Sequence, residues 1–98
     1  MKRIPNPSNV NGTIYKIIYK KYLEDEDGSE IVGRIDPCKG ELCLLSGVHR
    51  ILKEKTWFHE ILHGICKEIN LKLTEKELDT LANMLHDTMH RNHIDCSS

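Results

Sequence analysis

His59-Glu60-Ile61-Leu62-His63 sets two imidazoles four residues apart, with a carboxylate directly after the first. On a helix, residues i and i+4 share one face, so both rings can reach the same ion. Zinc accepts neutral imidazole nitrogen at about 2.0–2.1 Å and tolerates an open fourth position for water. It lowers the pKa of that water towards about 7, and Glu60 is placed to accept the proton and pass it to a leaving amine. The chemistry implied is metal-assisted hydrolysis of a peptide carbonyl. This is the expectation for a zinc-dependent metallopeptidase-like hydrolase acting on a peptide or protein substrate, with His59 and His63 as metal ligands and Glu60 as general base. The alternative is a zinc-bound or vestigial module that holds a protein partner without cutting it. A third class, a purely structural helix pair, would carry no metal.

A hydrolytic zinc needs a third protein ligand. Glu75-Lys76-Glu77-Leu78-Asp79 offers acidic residues at the head of a second helix. Glu75 and Asp79 are four apart and share a face, so one can bind metal while the other accepts the N–H of a ligand histidine and fixes its tautomer. The expected assignment is Glu75 as third ligand and Asp79 behind a ligand histidine. Glu77 is the rival. It stands three residues after Thr74, the spacing of a capping box, and is rotated about 200° from Glu75 at 100° per residue. His86 follows Asp79 by seven residues on nearly the same face, and is a candidate donor to a developing oxyanion. His86, His90 and His93 read otherwise as the solvated side and end of this helix.

The remaining reactive residues carry less. Cys38 and Cys43 bracket a turn, but no second cysteine pair completes a structural zinc site. Cys66 reads as a small core residue and Trp57 as a packing aromatic. Glu24 to Ser29 is an acidic turn without the ligand spacing of a calcium loop.

The elements that must position these groups follow from periodicity. The whole chain, residues 1–98, reads as a single α+β domain. Residues 1–12 form a lead-in that ends in the turn pair Asn11-Gly12. Residues 13–45 hold three short strands: Thr13 to Leu23, with Tyr15, Ile17 and Tyr19 on one face; Glu30 to Asp36; and Glu41 to Leu45. Short turns between them predict a three-stranded antiparallel meander. The period then changes. Phe58, Ile61, Leu62, Ile65 and Ile69 predict a motif helix over 48–70, and Leu78, Leu81, Ala82, Leu85 and Met89 a second over 74–91. Two packed antiparallel helices, the first carrying the motif, complete the expected fold, and 92–98 form a polar tail. Phe58, Ile61, Leu62, Ile65, Leu78, Leu81 and Leu85 are the expected core, with Ala82 marking a close helix approach.

The string Thr56-Trp57-Phe58-His59-Glu60-Ile61-Leu62-His63-Gly64-Ile65 resembles the motif helix of small phage and prophage H-E-x-x-H proteins. More distantly it is similar to the ImmA/IrrE-like metallopeptidases of the gluzincin class. Gly33-Arg34-Ile35-Asp36 upstream and Glu75-x-x-Leu78-Asp79-x-Leu81-Ala82 downstream fit the same pattern, so the resemblance spans roughly residues 13–92. It implies strands before the motif helix, zinc held by two histidines and one acidic residue, and Glu60 as general base. The His63-to-Glu75 gap is shorter than a gluzincin's.

Composition narrows the rest. Fourteen Lys and Arg against fifteen Asp and Glu give a net charge of −1, with no basic excess to recommend nucleic acid as partner. No run of 18 apolar residues predicts a membrane span, and no apolar segment follows Lys2-Arg3 to make a secretion signal. The expected compartment is cytoplasmic, that of the host cell if the chain is phage-encoded, with the four cysteines as free thiols.

Overall fold

Asn11 and Gly12 both take positive φ, 50° and 94°, and close a two-residue hairpin in the computed structural model, which describes residues 4–94. Positive φ at both central positions matches the right-handed twist of flanking strands, which is why Asn-Gly favours this turn. The hairpin joins β1 (Ser8–Val10) to β2 (Thr13–Lys20), with Val10 opposite Thr13. The lead-in therefore contributes a strand. Its prolines, Pro5 and Pro7, stand before β1 rather than within it, so they remove no donor from the ladder.

The sheet is four-stranded and mixed, in the order β1-β2-β4-β3, where β3 is Gly33–Asp36 and β4 is Glu41–Leu45. β4 runs parallel to β2 and antiparallel to β3. The expected antiparallel meander is thus replaced by a topology in which the last strand sits inside. Burial explains the exchange. Leu42, Cys43 and Leu44 are consecutive and all buried, a pattern that needs cover on both faces and a central place. Gly33-Arg34-Ile35-Asp36 is half polar and suits an edge. A meander would have set the polar strand in the middle and exposed the leucines.

The helices α1 (Arg50–Ile69) and α2 (Glu75–Arg91) fall within two residues of their expected bounds. His49 caps α1, its Nδ1 accepting from the Ile51 N–H at 3.1 Å, and Asn70 ends it in the left-handed region at φ 56°. Thr74 and Glu77 form the expected capping box at the head of α2. α1 lies on the sheet, and α2 packs on α1 alone. The core joins Val10, Tyr15, Ile17, Leu42 and Leu44 of the sheet to Trp57 and Phe58 of α1 and Ala82 of α2. Trp57 Nε1 donates to Ser8 Oγ at 2.9 Å, tying α1 to β1 through a buried hydrogen bond.

Ile61, Leu62 and Ile65 pack at the core margin, and Leu78 is buried as expected. Leu81 and Leu85 are not buried; they stand 41% and 39% exposed. The sheet does not reach α2, so only the strip of α2 facing α1 is covered. Tyr19 is exposed as well, with the Lys53 ammonium of α1 5.8 Å over its ring. Cys38, Cys43 and Cys66 are free thiols, while Cys96 lies outside the described residues. No helix among the described residues is long and apolar enough to cross a membrane.

Ala82 is 1% exposed at the point where α2 meets α1. Only a small side chain permits that approach. Ala82→Leu is expected to destabilise by about 1–3 kcal/mol through overpacking, measured by urea unfolding. Met84→Leu on the exposed side of α2 is the control, expected to stay within about 0.5 kcal/mol.

Candidate metal centre

The helical rise brings His59 and His63 one turn apart on α1, with ring centroids 4.9 Å from each other. α2 returns antiparallel after a short connection, so its first turn faces them. There the Glu75 carboxylate spans both rings: Oε2 is 3.0 Å from His59 Nε2, and Oε1 is 2.9 Å from His63 Nε2. Asp79, one turn on, sets Oδ1 3.6 Å from His59 Nδ1. His59 therefore has Glu75 on one nitrogen and Asp79 near the other. The ligand atoms of His59, Glu60 and His63 also lie within 4.8 Å of one another. Two neutral nitrogens with carboxylate oxygens form the donor set that zinc takes in hydrolytic sites.

Glu77, the rival to Glu75, is occupied elsewhere. Its carboxylate accepts the Thr74 N–H at 2.9 Å, and its own N–H donates to Thr74 Oγ1 at 3.1 Å. Those bonds hold the Glu77 carboxyl below its usual range. The cap also fixes the first turn of α2, and with it the direction in which Glu75 projects.

Glu60 is buried against β3. A methyl group at Gly33 would collide with Thr56 Cγ2 and stand 3.4 Å from Glu60 Cγ, so the bare glycine lets α1 approach the edge strand. The Val32 carbonyl accepts from the Leu45 N–H at 2.9 Å. By antiparallel alternation, the backbone polar groups of Gly33 and Ile35 then face the open edge. Burial raises the Glu60 pKa above the usual carboxylate value, and the nearby Glu75 charge adds to this; His59 and the Ile35 N–H oppose it. Burial also lowers the His63 pKa, against the pull of Glu75, which favours the neutral ring that metal ligation needs.

A groove runs along β3 past these groups. Its two halves, about 600 and 550 Å³, share Ile31, Gly33, Glu60 and Glu75. Leu52, Lys55, Asp79 and Asn83 line one half; Arg34, His63 and Lys67 line the other.

His86 is not in this groove. It is buried with Nε2 2.7 Å from Glu54 Oε1, beside a separate cavity lined by Arg50, Asp87 and His90. It shares the azimuth of Glu75 and Asp79, but eleven residues along an antiparallel helix carry it about three turns towards the start of α1. The role of oxyanion donor is withdrawn for it. Glu54 was not among the residues singled out from sequence, and Gly33 entered only as part of the segment Gly33–Asp36. Glu54 had a signal: it lies four before Phe58 on the apolar stripe of α1, where an unpartnered carboxylate does not belong. Gly33 offered only its place in a short strand.

The chain matches no family model, no curated protein and no solved structure.

Glu60 generates a test of sign. Its folded pKa is raised above the value near 4.5 that holds when the chain is unfolded. The folded state then binds the extra proton, so stability is full below pH 4.5 and is lost as pH rises through the folded pKa. Glu60→Gln removes that loss. In metal-free protein, the melting-temperature difference between variant and wild type should grow in the variant's favour from pH 4.5 to neutrality. A difference that stays flat or reverses would show that Glu60 ionises without penalty.

Proposed function

We propose that this chain is a zinc-dependent hydrolase of peptide bonds, with His59, His63 and Glu75 holding the metal. The observation that carries the reading is the single Glu75 carboxylate spanning the Nε2 atoms of both motif histidines. Zinc bound there supplies Lewis acidity and lowers the pKa of a water towards about 7. With Nε2 ligating, Asp79 Oδ1, 3.6 Å from His59 Nδ1, is the group placed to approach and accept the Nδ1 proton. Glu60, poorly solvated and hence a stronger base than an exposed carboxylate, takes the proton on a carboxylate oxygen and returns it to the leaving amine. The groove suits an extended peptide. The outward backbone groups of Gly33 and the Ile35 carbonyl can pair with a peptide main chain as an added strand, the Ile35 N–H being engaged by Glu60, and Ile31 and Leu52 offer apolar wall to its side chains. The resemblance of Gly33–Asp36, the motif helix and Glu75–Ala82 to the gluzincin class supports the same reading.

One observation favours a second reading, a zinc-bound module that holds a peptide without cutting it. His86, the expected oxyanion donor, is engaged by Glu54. Incubation of the zinc-loaded protein with a library of unstructured peptides decides between them. Cleavage that is abolished in Glu60→Gln, with metal retained, supports hydrolysis; binding without cleavage supports the module.

Three substitutions test the ligand set by zinc titration. The wild type should take about one zinc per chain. Glu75→Gln should weaken binding by more than the roughly 10–100-fold that loss of an outer partner costs, and Asp79→Asn should fall within that range. Glu77→Gln should leave zinc in place and cost about 0.5–1 kcal/mol of stability through the cap. Metal lost on Glu77→Gln and kept on Glu75→Gln would contradict the assignment.

A further inference from the structure

Glu54 and His86 form the most deeply buried carboxyl–imidazole pair among the described residues. Their side chains are 5% and 9% exposed, and Nε2 lies 2.7 Å from Oε1. Phe58 meets the His86 ring edge to face at 6.1 Å, and His90 stacks parallel to it at 6.2 Å. The second Glu54 oxygen faces Arg50 Nε at 3.8 Å. Replacing a buried pair by apolar groups of similar volume is often neutral or stabilising, so stability alone gives this pair no role. Direction does. The other buried contacts of α2, Leu78 and Ala82, are apolar and tolerate small rotations of the helix. A hydrogen bond to an imidazole does not.

The helical phase links this bond to the metal centre. His86 follows Asp79 by seven residues and Glu75 by eleven, which places it within about 20° of each at 100° per residue. A rotation of about 20° moves a side-chain tip some 6 Å from the helix axis by about 2 Å. Metal–ligand distances tolerate about 0.2 Å. We infer that the Glu54–His86 hydrogen bond is a positioning device for the metal centre: it fixes the rotation and slide of α2 on α1 so that Glu75 and Asp79 reach His59 and His63. The inference rests on the zinc reading of that centre. Glu54 and His86 touch neither the groove nor the metal ligands, and act through the helix that carries Glu75.

The test replaces the pair by apolar groups of matched shape, Glu54→Leu with His86→Phe. The variant should keep its helical circular dichroism and its melting temperature, yet bind zinc about 10–100-fold more weakly, the loss expected when a ligand's orienting support is removed. Glu54→Gln keeps an acceptor for His86 and should restore affinity close to wild type. Unchanged zinc affinity in the folded apolar variant overturns the inference. So does an affinity that falls only in step with lost stability. If the apolar pair does not fold, Glu54→Leu with His86→Leu, which adds no ring bulk and leaves no buried carboxyl unpartnered, gives the same decision. A wild type that takes no zinc overturns the zinc reading instead. The pair is then judged in metal-free protein by nuclear Overhauser contacts from the Glu75 side chain to the His59 and His63 rings. These should vanish in the apolar variant, and their persistence there would overturn the inference.

Discussion

The close antiparallel seating of α2 on α1 at Ala82 is the contact on which the candidate centre depends. The motif helix alone offers two imidazoles and a carboxylate on a helix that the sheet holds in place through Trp57 and Phe58. With Glu60 assigned as the base in the proposed reading, the third donor has to come from α2. The capping box sets where α2 begins, and Ala82 sets how near it runs. Together they deliver Glu75 to both rings. Because α2 touches no strand, an error in its seating is not corrected elsewhere in the fold.

The same arrangement concentrates electrostatic cost at one place. Glu60 is held against β3 with its ionised form disfavoured, Glu75 adds a second negative charge nearby, and His63 is pushed towards neutrality. In a chain of 98 residues, whose core is thin, such a group is an appreciable burden on stability. A bound cation would relieve it, since a positive ion between the carboxylates and the rings reverses the local balance. The features that weaken the metal-free fold are those that a metal would reward.

Much of this was legible in the sequence because it is written locally. The i, i+4 spacing of His59 and His63, the Thr74–Glu77 cap and the shared face of Glu75 and Asp79 each depend on a few consecutive residues in a helix. The topology was less legible. Whether β4 pairs beside β2 or beyond β3 is a long-range choice, and its only sequence trace is the unbroken apolar run Leu42-Cys43-Leu44 against the half-polar Gly33 to Asp36. β1 hid behind two prolines, although the Asn11-Gly12 pair announced a hairpin that needs two arms. Leu81 and Leu85 looked like core because periodicity reports an apolar stripe without revealing how wide a neighbour will cover it. His86 was placed on the right face but at the wrong height, since azimuth alone does not say how far along an antiparallel partner a residue lands.

The central claim is that His59, His63 and Glu75 together hold zinc. X-ray absorption at the zinc edge of the loaded full-length protein tests it most directly. The account predicts a first shell of two imidazole nitrogens at about 2.0–2.1 Å with oxygen donors at about 2.0–2.2 Å, and loss of one oxygen donor in Glu75→Gln. A sulfur shell at about 2.3 Å, or a first shell unchanged by Glu75→Gln, would contradict it.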